Sequence, residues 1–272
     1  MIVQTAPENQ PHLVIIQTDH ASMSGEFAAA FGNDEFESVS PFAAMVHVAG
    51  HHDDGWAPID AKVEMDVNTG LPYHLTQTPL PYLVATSAGS PQANEAYDLY
   101  SGIISSLHTY GLFHGRYGLS DKIFIDLIPS EHKPAMEAML ADELSRQERI
   151  KGVLCGNAET AVFVTKESLF HNYKLLQFFD TLALYFHMVH KEARTDSQFL
   201  NVPRAIGDDV TITIQPVGDG VYSLSPYPFK EPEMTFSYQG RLMSPQPAGT
   251  DLKALMASIA PTVEEITLVR PA

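Results

Sequence analysis

Four stretches of this chain carry apolar residues at helical spacing, and each sets a histidine or an aspartate inside its apolar stripe rather than beside it. In the first, Ile16, His20, Met23, Ser24, Phe27 and Phe31 share a face, and Gly32-Asn33 stops the helix. In the second, Ser40-Pro41 opens the helix with serine as N-cap, and Met45, Val48 and Ala49 lead to His52 and Asp53. In the third, Tyr100, Ile103, Ile104 and Leu107 lead to His108 and Gly111. In the fourth, a long helix from Lys166 to about His190, the face is Leu176, Phe179, Asp180, Ala183 and His187. An unpaired polar or charged group inside a core is costly, so such residues must satisfy one another or a shared ion. Imidazole and carboxylate together suit iron, manganese, cobalt or zinc better than calcium. A buried network of His-Asp pairs without an ion is the alternative that stays open.

The remaining chain frames this centre. His12 to Ile16 reads as a short extended lead. Residues 57–94, rich in Pro, Gly, Thr and Asn, read as a long ordered loop. Pro134 to about Leu154 is an amphipathic helix with a charged outer face. From Asp209 the period changes to two: VTITIQPV, VYSLSPYPF, EMTFSYQGRLM and ITLVRP predict three or four short strands, with a small helix near Asp251 to Ile259. Gly218-Asp219-Gly220 is a hairpin signal between the first two strands. The expected architecture is mainly α: a helical metal-binding domain over residues 1–203 and a small antiparallel β appendage over 204–272 packed on it.

Charge and motif content narrow the function. Asp plus Glu number 33 against 16 Lys plus Arg, a net −17, which disfavours a sequence-blind grip on a phosphate backbone. The lone Cys155 allows neither an intrachain disulfide nor a thiolate zinc cluster. There is no Walker loop, no GxGxxG after a strand, no GxSxG elbow and no HxE with PCxxC, so nucleotide folds, serine hydrolases and zinc deaminases lose support. MIVQTAPENQ lacks the features of a secretory signal, and no run of about 18 apolar residues occurs. The expectation is a cytoplasmic protein with no nucleic-acid and no membrane partner.

The order His, His-Asp, His, Asp on separate helices resembles the HD-domain superfamily of metal-dependent enzymes, and the fold expected on that basis is an HD-like helical bundle. More narrowly, QTDHASMSGEFAAAFG, HHDDGW, SLHTYGLF with HGRYG, and LLQFFDTLALY followed by SPYPF resemble domain-of-unknown-function family 3891, over nearly the whole chain. The resemblance implies that His20, His52, Asp53 and Asp180 hold a first metal, and that Asp53 bridges to a second metal taking His108. The expected cofactor is one or two divalent transition metals (Fe, Mn, Co or Zn). His114 and His132 are the available further histidines.

Two residues stand out as catalytic candidates. Asp54, next to the doublet, would assist proton transfer. Arg116, in a Gly-flanked turn beyond His108, would grip an anionic group. Gln17, one turn before His20, and His187, two turns after Asp180, would orient ligands; His171 points to the other side, and Trp56 packs a helix end. The first functional expectation is metal-dependent hydrolysis of a small phosphoester or phosphoanhydride by metal-activated water. A di-iron oxygenase fits a histidine-rich, cation-poor pocket, and a non-catalytic metal- or ligand-binding protein is the third reading. The expected partners are a small anionic molecule and, through the β appendage, a second copy of the chain.

Overall fold

The computed structural model describes residues 1–271. The helical stripes form where the periodicity places them. They give α1 (Gln17–Ala30), α2 (Phe42–His51), α3 (Leu80–Tyr97), α4 (Leu99–Phe113), α5 (Lys133–Cys155), α6 (Lys166–Met188) and α7 (Leu252–Ser258). Asp98 caps α4 through its carboxylate on Ser101 N, and Thr165 caps α6 through its hydroxyl on Ser168 N.

The strands are β1 (Ile2–Val3), β2 (His12–Ile15), β3 (Met65–Asp66), β4 (Leu71–Pro72), β5 (Ser197–Ala205), β6 (Asp208–Gly218), β7 (Val221–Ser225), β8 (Glu233–Met243) and β9 (Thr262–Val269). β3 and β4 form a separate pair, and the other seven form one sheet in the order β1-β2-β8-β9-β7-β6-β5. Every neighbouring pair in that sheet is antiparallel except β7 with β9. The alternation works as anticipated: Ile212 and Ile214 on β6, and Phe236 and Tyr238 on β8, turn inward, while Thr211, Gln215, Thr235 and Ser237 face solvent.

The fold therefore departs from a mainly α, HD-like bundle with a small C-terminal antiparallel β element. A large curled, mixed sheet makes up one side of the molecule. It takes β1 and β2 from the start of the chain: β1 pairs with β2, and β2 pairs with β8 some 230 residues later (His12 opposite Met243). Residue 203 lies inside β5. Strand partners are chosen by non-local contacts, so four period-two segments near the end of a sequence do not reveal that two more strands join from the other end.

A second departure is α3, which forms inside the stretch expected to be a loop. After the apolar start Leu80–Val84 most of its residues are small or polar, and Pro91 sits within it. Proline removes one helix donor; the Ser87 carbonyl that this leaves free accepts from the Thr109 hydroxyl of α4 (3.4 Å). Tertiary packing on α4 thus overrides a weak local preference.

The core lies between helices and sheet. Phe27 of α1 meets Phe236 of β8 edge-on (4.7 Å between rings), Phe178 of α6 meets Phe199 of β5 (5.5 Å), and Phe186 meets Tyr222 of β7 (5.0 Å). Edge-to-face contacts of this kind add to the area each ring buries. Past the end of α6, the buried Arg194 donates to the carbonyls of Val189 (3.0 Å) and Phe186 (2.8 Å) and to the hydroxyls of Tyr222 (2.7 Å) and Tyr238 (2.8 Å). One guanidinium thus ties the helix end to the sheet. Among the described residues no helix is long and apolar enough to cross a membrane.

Candidate metal centre

Four helices bring their polar stripe residues to one place. α1 and α2 cross at Gly25 and Gly50: a Cβ added at Gly25 would stand 2.8 Å from Gly50 Cα, so a larger residue would push the helices apart. That approach sets the His20 and His52 rings edge-on at 5.5 Å. His108 of α4 lies edge-on to His52 at 5.3 Å. Asp180 of α6 completes the group: its Oδ1 is 3.1 Å from His20 Nε2 and 3.7 Å from His52 Nε2. Asp53 Oδ2 is 3.6 Å from His52 Nε2.

Two overlapping sets of ligand atoms result, His20-His52-Asp53 and His52-His108-Asp180, each within 4.8 Å of one another. His20, His52, His108 and Asp180 are buried, whereas the Asp53 side chain keeps 17% exposure and so marks the rim. The helix absent from the sequence expectation is the one that fixes this rim: Asn94 of α3 donates to the His51 carbonyl (2.8 Å), and Ser90 Oγ accepts from Gly55 N (3.0 Å).

The donor set is suited to a cation. His52 Nδ1 donates to the Ala49 carbonyl (2.9 Å), which turns Nε2 toward Asp53 and Asp180. That Nε2 is buried without a hydrogen-bond partner among the described residues. A neutral imidazole in this tautomer would aim a lone pair at two carboxylates, so a positive charge belongs between them. Without a metal, His52 supplies that charge itself: burial opposes its protonation, but Asp53 and Asp180 overcome burial and lift its pKa to about 9.

Burial raises the Asp180 carboxyl, yet the hydrogen bond from His20 and the positive charge of nearby His52 outweigh it and hold the pKa well below the ordinary value. Burial lifts Asp53, with His52 and His20 pulling the other way. His108 is pushed down to about 3, mainly by burial, and so presents a neutral imidazole.

Behind these residues stand others that orient them. His187 Nδ1 meets His20 Nδ1 at 2.9 Å, and the His187 ring packs on Tyr238 of β8 at 4.4 Å. Burial holds His187 neutral, His20 and Arg194 adding to the effect. The Gln177 side-chain amide abuts His108 Nδ1, and its Oε1 has no partner among the described residues. With that oxygen turned to the ring, Nδ1–H donates to it and Nε2 is left free for a ligand.

The other residues singled out in the sequence fall as follows. Asp54, 32% exposed, is bonded to His51 Nδ1 at 3.0 Å and belongs to neither ligand set. His51 stacks on His47, and His47 on Tyr97, at the surface. His114 stacks on Tyr110, and His132 stands just before α5 without a side-chain capping bond. His171 is buried away from the centre, next to Lys174 and Asp209. Trp56 is buried at the turn after α2.

Arg116 occupies an unusual backbone. Gly115, Arg116, Tyr117 and Gly118 all have positive φ (58°, 50°, 57° and 90°), one turn of left-handed helix. Two of these four carry side chains, at roughly 1–2 kcal/mol each. Arg116 is half-buried, makes no ion pair or side-chain hydrogen bond among the described residues, and its charge acts on His108. Sequence reasoning reached His20, His52, Asp53, His108, Asp180 and Arg116 but passed over Gln177 and Tyr173, which read as ordinary stripe residues.

Residues 1–245 match the family described as "Protein of unknown function (DUF3891)", and the chain belongs to it. The match ends just after β8, so β9, which lies between β8 and β7, is beyond it. No curated protein and no solved structure matches the chain.

Proposed function

We propose that this member of the DUF3891 family is a metal-dependent hydrolase of a small phosphorylated substrate, a phosphoester or phosphoanhydride, with one or two divalent transition metals held by His20, His52, Asp53, His108 and Asp180. The observation that carries the reading is the orphaned His52 Nε2 facing two carboxylates inside a ring of histidines, with an unpaired guanidinium alongside. The order of these residues along the chain, His, His-Asp, His, Asp, is the order seen in HD-type metal enzymes and supports the reading for the site alone.

A bound divalent metal would lower the pKa of coordinated water towards neutrality. His20, His52 and His108 offer imidazole nitrogens, fixed in direction by His187, the Ala49 carbonyl and Gln177. Asp180 and Asp53 supply the negative charge that keeps a cation in a buried place. Arg116, without an ion-pair partner among the described residues, receives the phosphoryl oxygens and offsets the charge that grows on them. Asp54 directly follows the rim residue Asp53, and it takes up the released proton on Oδ2, where its pair with His51 reaches solvent.

The test is elemental analysis of protein purified with and without oxygen, beside a His52→Ala/Asp53→Ala variant, followed by a phosphomonoesterase assay. One or two manganese, zinc, cobalt or iron ions per chain, lost in the variant, with phosphate release that falls in Arg116→Gln, is the expected result. No metal in either form refutes the centre. Two irons per chain with oxygen consumption and no phosphate release refute hydrolysis in favour of oxidation.

A further inference from the structure

Two turns along α6 from Asp180, Tyr173 places a phenol that no other described residue uses. The residue is fully buried, and its hydroxyl has no hydrogen-bond partner among the described residues. Tyr173, Gln177 and Asp180 share a face of α6, and the facing residues of α4 are Gly111 and His108. Gln177 touches His108, and a Cβ at Gly111 would run into the Tyr173 hydroxyl. The phenol is therefore the next polar group along the same helix-helix seam, and α4 has a glycine where it must fit.

The left-handed turn closes this seam. Tyr117 folds back so that its hydroxyl donates to the Leu107 carbonyl (3.2 Å), and its ring stands edge-on to Tyr173 at 5.0 Å. Arg116 directly precedes the anchored Tyr117 in the same left-handed turn, and its charge acts on both His108 and Tyr173. Burial pushes the Tyr173 phenol far up, so it remains a neutral O–H donor at any working pH.

We infer that Tyr173 and Arg116 together form an anion subsite, in which the Tyr173 hydroxyl and the Arg116 guanidinium grip the phosphoryl group of the substrate from the side away from the rim. A buried donor without an acceptor and a cation without an anion, brought together by a strained turn, lack the same thing: a group rich in acceptor oxygens and negative charge. The inference rests on the reading of the centre as a phosphoryl-transfer site, and names a second residue that recognises the substrate. It does not need the metal in order to be tested.

The experiment measures binding of inorganic phosphate to chelator-treated protein, by calorimetry and by phosphorus NMR line broadening, for wild type, Tyr173→Phe and Arg116→Gln. Metal content of untreated protein is determined in parallel. Losing one charge-assisted hydrogen bond weakens phosphate binding on the order of tenfold in Tyr173→Phe, and more in Arg116→Gln. Tyr173→Phe folds, because it only removes an unpartnered hydroxyl; its melting temperature without phosphate is equal to or above that of wild type, and its gain on adding phosphate is smaller. Wild-type affinity in Tyr173→Phe overturns the inference, as does absence of phosphate binding to wild type or equal binding of acetate. If phosphate binding divides as expected but no protein carries metal, the metal reading fails while this one stands.

Discussion

Replacing Asp180 by asparagine removes a charge from the middle of the centre while keeping its volume and one acceptor oxygen. Asp180 Oδ1 serves both His20 (3.1 Å) and His52 (3.7 Å), and the residue is only 6% exposed, so solvent does not make good the loss. Breaking a buried ion pair by altering one partner costs roughly 3–5 kcal/mol. Asparagine retains an acceptor for His20, and Asp53 still faces His52, so the lower end, about 3 kcal/mol, applies to the metal-free protein. At ~2–4 °C per kcal/mol for a chain of this size, the melting temperature falls by about 6–12 °C.

A second difference appears when metal is supplied. Wild type gains about 2.7 kcal/mol when free metal reaches 100 times Kd, and Asp180→Asn, lacking one anionic ligand, gains little at the same concentration. Thermal unfolding of both proteins, with chelator and across a titration of manganese or zinc, reads out both quantities. An Asp180→Asn protein that takes up as much metal as wild type and gains as much in melting temperature would refute the assignment of Asp180 as a ligand.

Other expectations follow from the same structure. His187→Phe removes the partner of His20 Nδ1 but preserves the packing on Tyr238; metal affinity drops roughly 10- to 100-fold in a chelator-competition assay while the fold survives. His171 is the control, since His171→Asn leaves metal content unchanged. Burial, with Lys174 adding, keeps the folded pKa of His171 below the ordinary histidine value, so the unfolded chain binds that proton first and stability falls as pH drops through about 6.5. The variant flattens that slope by up to about 1.4 kcal/mol per pH unit, read from denaturant unfolding at pH 5 to 7. Phe27→Ala empties a fully buried site between α1 and the sheet and costs ~3–5 kcal/mol in the same assay. Thr109→Val deprives the Ser87 carbonyl of its acceptor role beside Pro91 and costs about 1 kcal/mol, a loss that Pro91→Ala in the same chain restores.

Much of the centre was legible before any coordinates. His20, His52, Asp53, His108 and Asp180 each lie at a helical period from apolar neighbours, a position that turns a polar group toward the core; four of them are buried, and Asp53 stops at the rim. The helices that carry them or, for His52 and Asp53, end just before them (α1, α2, α4 and α6) form from those local patterns, as do the alternating strands β6 and β8. The chain by itself therefore determined which side chains are buried together and on which elements they ride.

Tertiary structure decided what those elements pack against and how the site is completed. β1 and β2 are too short to announce a sheet; β2 pairs with β8 at a separation no local signal records, burying Leu13 and Val14, and β1 adds on at its edge. α3 exists because α4 supplies the hydroxyl that Pro91 makes necessary. Tyr173 reads as one more aromatic in an apolar stripe, and only the lack of a hydrogen-bond partner for its hydroxyl among the described residues marks it out. Burial periodicity is a property of neighbours a few residues apart, whereas strand pairing, a rescued carbonyl and an unanswered donor depend on atoms brought together from distant parts of the chain.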